Sequence, residues 1–155
     1  MSEAFEQDLP AIPIKWRGLP ADEAASIWED LEPWVRWLVV RFTISDSVIP
    51  SCWHKHTRVV EELSALWTAY ELWYDPASAA SAPISWLREL EWALGRIREV
   101  ITAAGCRPRE HRDDRVSAWV SSETYFSEFA ESKRADLHQR EEEQAQLAQQ
   151  YLALD

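Results

Sequence analysis

Residues 57–74 carry the pattern that most constrains the fold. Val59, Val60, Leu63, Leu66, Trp67, Tyr70, Trp73 and Tyr74 recur at spacings of three and four, which places them along one face of an α-helix. Thr57 is the expected N-cap, with Glu61 and Glu62 near the positive end of the helix dipole. Asp75-Pro76 ends the run, because the residue before a proline is pushed out of helical geometry. A second stripe follows a short Ala/Ser/Pro-rich linker at 75–82: Leu87, Leu90, Leu94, Ile97 and Ile101. Pro83 suits its first turn and Gly105 the position after its last. Helices over 57–74 and 84–104, joined by so short a linker, are expected to pack as an antiparallel hairpin.

The remaining elements are placed around that hairpin. Pro33 interrupts the apolar pattern of residues 21–42. A proline inside a helix costs about 3 kcal/mol, so a short helix near 21–29 and a second from Glu32 are expected, the second with Trp34, Trp37, Leu38 and Arg41 on its stripe. Residues 43–55 read as a connection with a weak strand signal at Val48–Ile49. Val116, Trp119 and Val120 are expected to return to the core. From about Ser122 a long helix runs nearly to the end, sparsely apolar beyond 131 apart from Leu137, Leu147, Tyr151 and Leu154. With only 3 glycines in 155 residues, a turn-rich β-fold is disfavoured. The expected fold is all-α: a compact bundle of four to five helices with a central antiparallel helical hairpin and a long C-terminal helix. The expected organisation is an extended N-terminal segment at 1–20, a helical domain at 21–130 and a charged helical extension at 131–155.

Charge narrows the choice of partners. The formal charge is −11, which disfavours non-specific contact with the phosphates of nucleic acid. No run approaches the 18 or so apolar residues of a membrane span. The start, MSEAFEQDLP, lacks the apolar centre of a secretion signal. A cytoplasmic protein is expected, and its two cysteines are expected as free thiols or ligands rather than as a disulfide.

The 10 tryptophans admit two readings, a core and an exposed aromatic groove. Trp34, Trp37, Trp67, Trp73, Trp86 and Trp92 lie on or beside helical stripes, the spacing of core residues. Trp53 lies off any stripe and is the one least suited to a core.

Trp53 also sits inside the chain's densest cluster of metal-ligating residue types, Cys52-Trp53-His54-Lys55-His56. A hairpin of helices 57–74 and 84–104 brings the start of one beside the end of the other. Cys52, His56 (with His54 as the alternative ligand), Cys106 and His111 then meet at one end. Two thiolates and two imidazoles are a tetrahedral zinc set, although neither cysteine belongs to a CxxC. The cofactor expectation is accordingly none, or a structural zinc ion. The competing view makes the cysteines small buried hydrophobes and the histidines helix caps or solvent-facing groups. A third uses Cys52 as a nucleophile beside a histidine. No oxyanion-hole motif, P-loop, dinucleotide fingerprint, HExxH or EF-hand accompanies it, so no catalytic residue is nominated and enzymatic activity is the weaker expectation.

Trp34-Val35-Arg36-Trp37-Leu38, the run Cys52 to His56 leading into Val59-Val60-Glu61-Glu62-Leu63 and Ala65 to Tyr70, Trp86-Leu87-Arg88-Glu89-Leu90, and a late Cys106 and His111 together resemble a domain family of unknown function. That family is found in actinobacteria, largely on plasmids, integrated elements and phages. The resemblance spans about residues 30–125 and carries no catalytic residues to transfer. It implies a cytoplasmic accessory protein of a mobile element.

The functional expectation is a non-enzymatic interaction protein of such an element, docking a protein partner through exposed aromatics or its C-terminal helix. Trp53, Arg107, Arg109, Arg112, Leu147 and Tyr151 are its candidate contact residues. Two alternatives stand beside it. One is a nucleic-acid-associated factor using the Arg-rich 107–115 loop with Trp53 or Trp119 for stacking. The other is a thiol- or zinc-dependent enzyme.

Overall fold

The computed structural model describes residues 12–153, and residues 1–11 and 154–155 lie outside that description, as does most of the expected extended segment. Among the described residues the architecture is all-α: α1 (Ala21–Arg41), α2 (Thr57–Trp73), α3 (Ala82–Ala104) and α4 (Glu123–Leu152), with short 3₁₀ turns at Trp53–Lys55 and Ala118–Ser121. No helix of the described residues is long and apolar enough to cross a membrane. The chain divides into two compact units, the boundary falling between Asp114 and Arg115.

In the first unit, α2 and α3 form the expected hairpin and make the main helix–helix interface. Val59, Val60, Leu63 and Leu66 of α2 are buried, as are Trp86, Leu90, Ala93, Ile97 and Ile101 of α3. At full burial each valine, leucine or isoleucine among them contributes about 1.5–3 kcal/mol. Trp86 is wholly buried. Its Nε1–H donates to the Leu66 carbonyl at 3.0 Å, which satisfies the one polar atom that burial would otherwise penalise. Phe42, Tyr70 and Tyr74 surround it with ring centroids 5.1 to 5.8 Å away. Arg96 of α3 clamps Glu62 of α2 with a two-pronged ion pair, Nε and Nη2 lying 2.9 Å from its two carboxylate oxygens. Gly105 closes α3 with φ 84°, its N–H donating to the carbonyls of Ile101 and Thr102. That left-handed turn admits glycine at little cost.

Several expectations are corrected. Residues 21–41 form one helix, with Pro33 inside it. The helix survives because Leu31, Trp34, Val35 and Leu38 are all buried around the proline. Their combined burial outweighs a penalty of about 3 kcal/mol, and the proline ring itself is exposed. Thr57 is the first helical residue, preceded by His56 in the cap position, whose side chain makes no capping bond. Val48 and Ile49 are not a strand. They are buried residues of a turn anchored by bonds from both their N–H groups to the Ser45 carbonyl. Trp92 faces solvent at 56 % exposure, because it lies a quarter-turn off the stripe that α3 turns inward. Residues 12–20 have no helix, and Trp16 does clip to the core. Its ring meets Trp28 at 5.0 Å and its Nε1–H donates to Ser64 Oγ at 2.9 Å.

The second unit holds the 3₁₀ turn Ala118–Ser121 and α4. Val116, Trp119 and Val120, expected in the core, are exposed. Trp119 instead meets Tyr125 at 4.5 Å, and Tyr125 stacks with Phe129 at 6.1 Å. Ser122 caps α4 by accepting the Tyr125 N–H on its Oγ. Position 131, where a charged extension is expected to begin, lies inside this unbroken helix, and α4 buries no residue.

Candidate metal centre

The site is assembled at the open end of the α2–α3 hairpin, from the stretch that enters α2 and the stretch that leaves α3. On one side, the turn at 45–50 leads into Cys52 and the 3₁₀ turn Trp53–Lys55. Backbone bonds from Trp53 to Pro50, Lys55 to Cys52 and His56 to Trp53 fix this stretch. Contrary to expectation, Trp53 is buried, its ring packed 6.1 Å from that of Trp28. It serves as the anchor that holds Cys52 and His56 in place, four residues apart. On the other side, Gly105 turns the chain out of α3 into a small hairpin. Arg107 and Glu110 exchange two backbone bonds of 2.9 Å. Pro108 sits second in that turn and Arg109 third, with φ 66°, the pattern of a type II turn. Cys106 and His111 flank it.

Cys52 Sγ, His56 Nε2, Cys106 Sγ and one ring nitrogen of His111 all lie within 4.8 Å of one another. His56 Nε2 is 3.3 Å from Cys106 Sγ and 3.7 Å from Cys52 Sγ. His111 Nδ1 is 3.8 Å from Cys106 Sγ. In a tetrahedron with arms of about 2.3 Å to sulfur and about 2.0 Å to nitrogen, the N···S edge is about 3.5 Å. The three measured edges bracket that value, so these four groups could hold a metal ion such as zinc with small adjustment. His54, the alternative ligand, is exposed and stands outside the group.

The surroundings orient the donors. His56 is completely buried, and its Nδ1–H donates to Asp114 Oδ1 at 2.7 Å. His111 Nε2–H donates to Asp113 Oδ1 at 2.8 Å. Each carboxylate thereby sets a tautomer that leaves the other ring nitrogen, the one facing the sulfurs, free to bind a metal. The Arg112 N–H points at Cys106 Sγ from 3.2 Å, a donor that suits a thiolate. Asp113 and Asp114 escape residue-type searches for ligands because they are not ligands. Their signal is the run His111-Arg112-Asp113-Asp114, carboxylates directly beside a candidate ligand.

The two cysteines are free thiols. Burial, and then the adjacent Cys106, pushes the Cys52 thiol above its ordinary range. That direction is opposite to the one that activates a cysteine nucleophile.

Of the candidate contact residues, Arg107, Arg109 and Arg112 are exposed on the hairpin, and Arg112 pairs with Glu110 at 2.8 Å. Leu147 and Tyr151 are exposed on α4. Trp53 is withdrawn from both protein docking and base stacking by its burial. No family model, curated protein or solved structure matches this chain.

Proposed function

We propose that this chain is a non-enzymatic interaction protein whose helical hairpin is fastened by a structural zinc ion held by Cys52, His56, Cys106 and His111. The observation that carries the reading is the second layer of the site, a carboxylate behind each imidazole with the remaining ring nitrogens turned toward the two sulfurs. Two sulfurs and two imidazoles are a ligand set zinc favours among the divalent metals. Four protein ligands fill a tetrahedron and leave no position for substrate, the mark of a structural rather than catalytic ion.

A structural ion makes the first unit a rigid platform and leaves recognition to exposed side chains. α4 offers Phe126, Phe129, Leu137, Leu147 and Tyr151 at its surface, and protein partners are contacted through such apolar and aromatic anchors. The resemblance to the mobile-element family supplies the context, an accessory protein of a plasmid or phage.

Native mass spectrometry with elemental analysis tests the metal, and one zinc per chain is expected. Reciprocal capture from an actinobacterial host, comparing the full chain with one ending at residue 130, tests the docking. The reading fails if the chain carries no metal, or if both chains retain the same partners.

A further inference from the structure

Beside the metal ligands lies a second feature that a structural ion does not use. An open cavity of about 240 Å³, whose lining includes the metal-site residues Cys52 and His111, is bordered beyond them by Ser51, His54 and Lys55 on one side and by Arg107, Arg109 and Glu110 on the other. Three full cations and an imidazole converge on it. Neither Lys55, Arg107 nor Arg109 has a carboxylate within ion-pair distance among the described residues. The one acid in the lining, Glu110, is already engaged by Arg112 at 2.8 Å. In a chain of net charge −11, such a gathering of unpaired cations runs against the average field. The geometry points to a binding site for a phosphoryl group carried by a small molecule.

The chemistry matches. Arginine forks bind phosphate oxygens through paired N–H donors, while lysine adds a point charge and the Ser51 hydroxyl a further donor. The two guanidinium groups stand at the first and third positions of the Arg107–Glu110 turn, whose backbone is held by two bonds of 2.9 Å. Arg109 adopts a left-handed φ of 66° there, a conformation that costs a residue with a side chain and recurs at ligand-holding positions. A small ligand is favoured over a polymer by the rest of the surface. With 27 acidic residues against 16 basic ones, a long polyanion leaving the cavity meets repulsion, whereas one phosphoryl group does not.

The proposal rests on the metal reading in one respect: Cys106 and His111 bracket the turn, so a bound ion fixes the arginines. The test is titration calorimetry at low ionic strength on protein of measured zinc content, with pyrophosphate, adenosine monophosphate and a single-stranded oligonucleotide as probes. Zinc-loaded protein is expected to bind pyrophosphate and the mononucleotide. Arg107→Ala combined with Arg109→Gly should weaken binding at least about tenfold. Glycine keeps the turn, so that loss reports the guanidinium and not the backbone. Arg88→Ala, about 25 Å away along α3, should bind as the parent does. Zinc-loaded protein that binds none of the probes overturns the site and leaves the metal reading standing. Metal-free protein that binds pyrophosphate undiminished keeps the site and removes its dependence on the ion. Oligonucleotide binding tighter than mononucleotide binding by more than about tenfold overturns the small-molecule assignment in favour of a nucleic-acid contact.

Discussion

His56 Nδ1 lies 2.7 Å from Asp114 Oδ1, a bond that joins a completely buried imidazole at the start of α2 to a carboxylate 58 residues later. It determines which nitrogen of His56 meets the sulfurs. Asp114→Ala is expected to lower metal affinity by about 10- to 100-fold, the usual effect of removing a carboxylate behind a ligating histidine. Asp113→Ala should cost less, because the Asp113 side chain is 95 % exposed against 37 % for Asp114, and water replaces it readily. Competition against a chromophoric chelator gives both affinities; equal effects would contradict the ranking.

Metal removal should lower the melting temperature of the first unit. A ligand at about a thousand times its dissociation constant stabilises the folded state by about 4 kcal/mol, and a strong chelator takes that away. Cys106→Ser should melt near the chelated parent and show no further response to chelator. Scanning fluorimetry with and without chelator distinguishes this from a cysteine that merely packs, for which the parent curve would not move.

Trp86→Ala should destabilise by about 3–5 kcal/mol, the range for a buried indole replaced by a methyl group. Trp86→Phe retains much of the volume but leaves the Leu66 carbonyl without its indole donor, at a cost of about 1–3 kcal/mol. Urea unfolding followed by circular dichroism measures both, and the order Ala worse than Phe is the outcome that matters.

Pro33→Ala is expected to stabilise. The ring is exposed and occupies an interior helical position, where alanine is better by about 3 kcal/mol. Greater freedom in the unfolded chain returns up to about 1 kcal/mol of that. A net gain of about 2–3 kcal/mol, read as a raised urea midpoint, is predicted. A loss would mean that the proline shapes the packing of Trp34 and Val35.

The central hairpin was legible because its signals are local. A stripe of period 3.6, a proline in the first turn and a glycine after the last need no knowledge of neighbours. The grouping of Cys52, His56, Cys106 and His111 followed from the hairpin alone, since antiparallel helices bring residues 52–56 and 106–111 to the same end. What escaped depends on partners distant in sequence. Trp53 looked exposed because Trp28, which covers it, belongs to a helix whose placement no local pattern gives. Pro33 looked like a break because its penalty is local, whereas the burial of Leu31, Trp34, Val35 and Leu38 that overrides it is tertiary. Val116, Trp119 and Val120 carry apolar side chains with no periodicity to show which way they face. The paired carboxylates were hidden for another reason: acids act on a metal from behind its ligands without any spacing rule of their own.

His56 and Cys106 stand 50 residues apart with their donor atoms 3.3 Å from each other. With an ion between them, everything from α2 to the end of α3 becomes a closed ring, shut at one end by the linker and at the other by the metal. A ring of that size cannot open progressively from its ends. Native-state hydrogen exchange should find the amides of α2 and α3 released together, in the slowest cooperative step of the unit, while the described N-terminal segment exchanges by independent detachment.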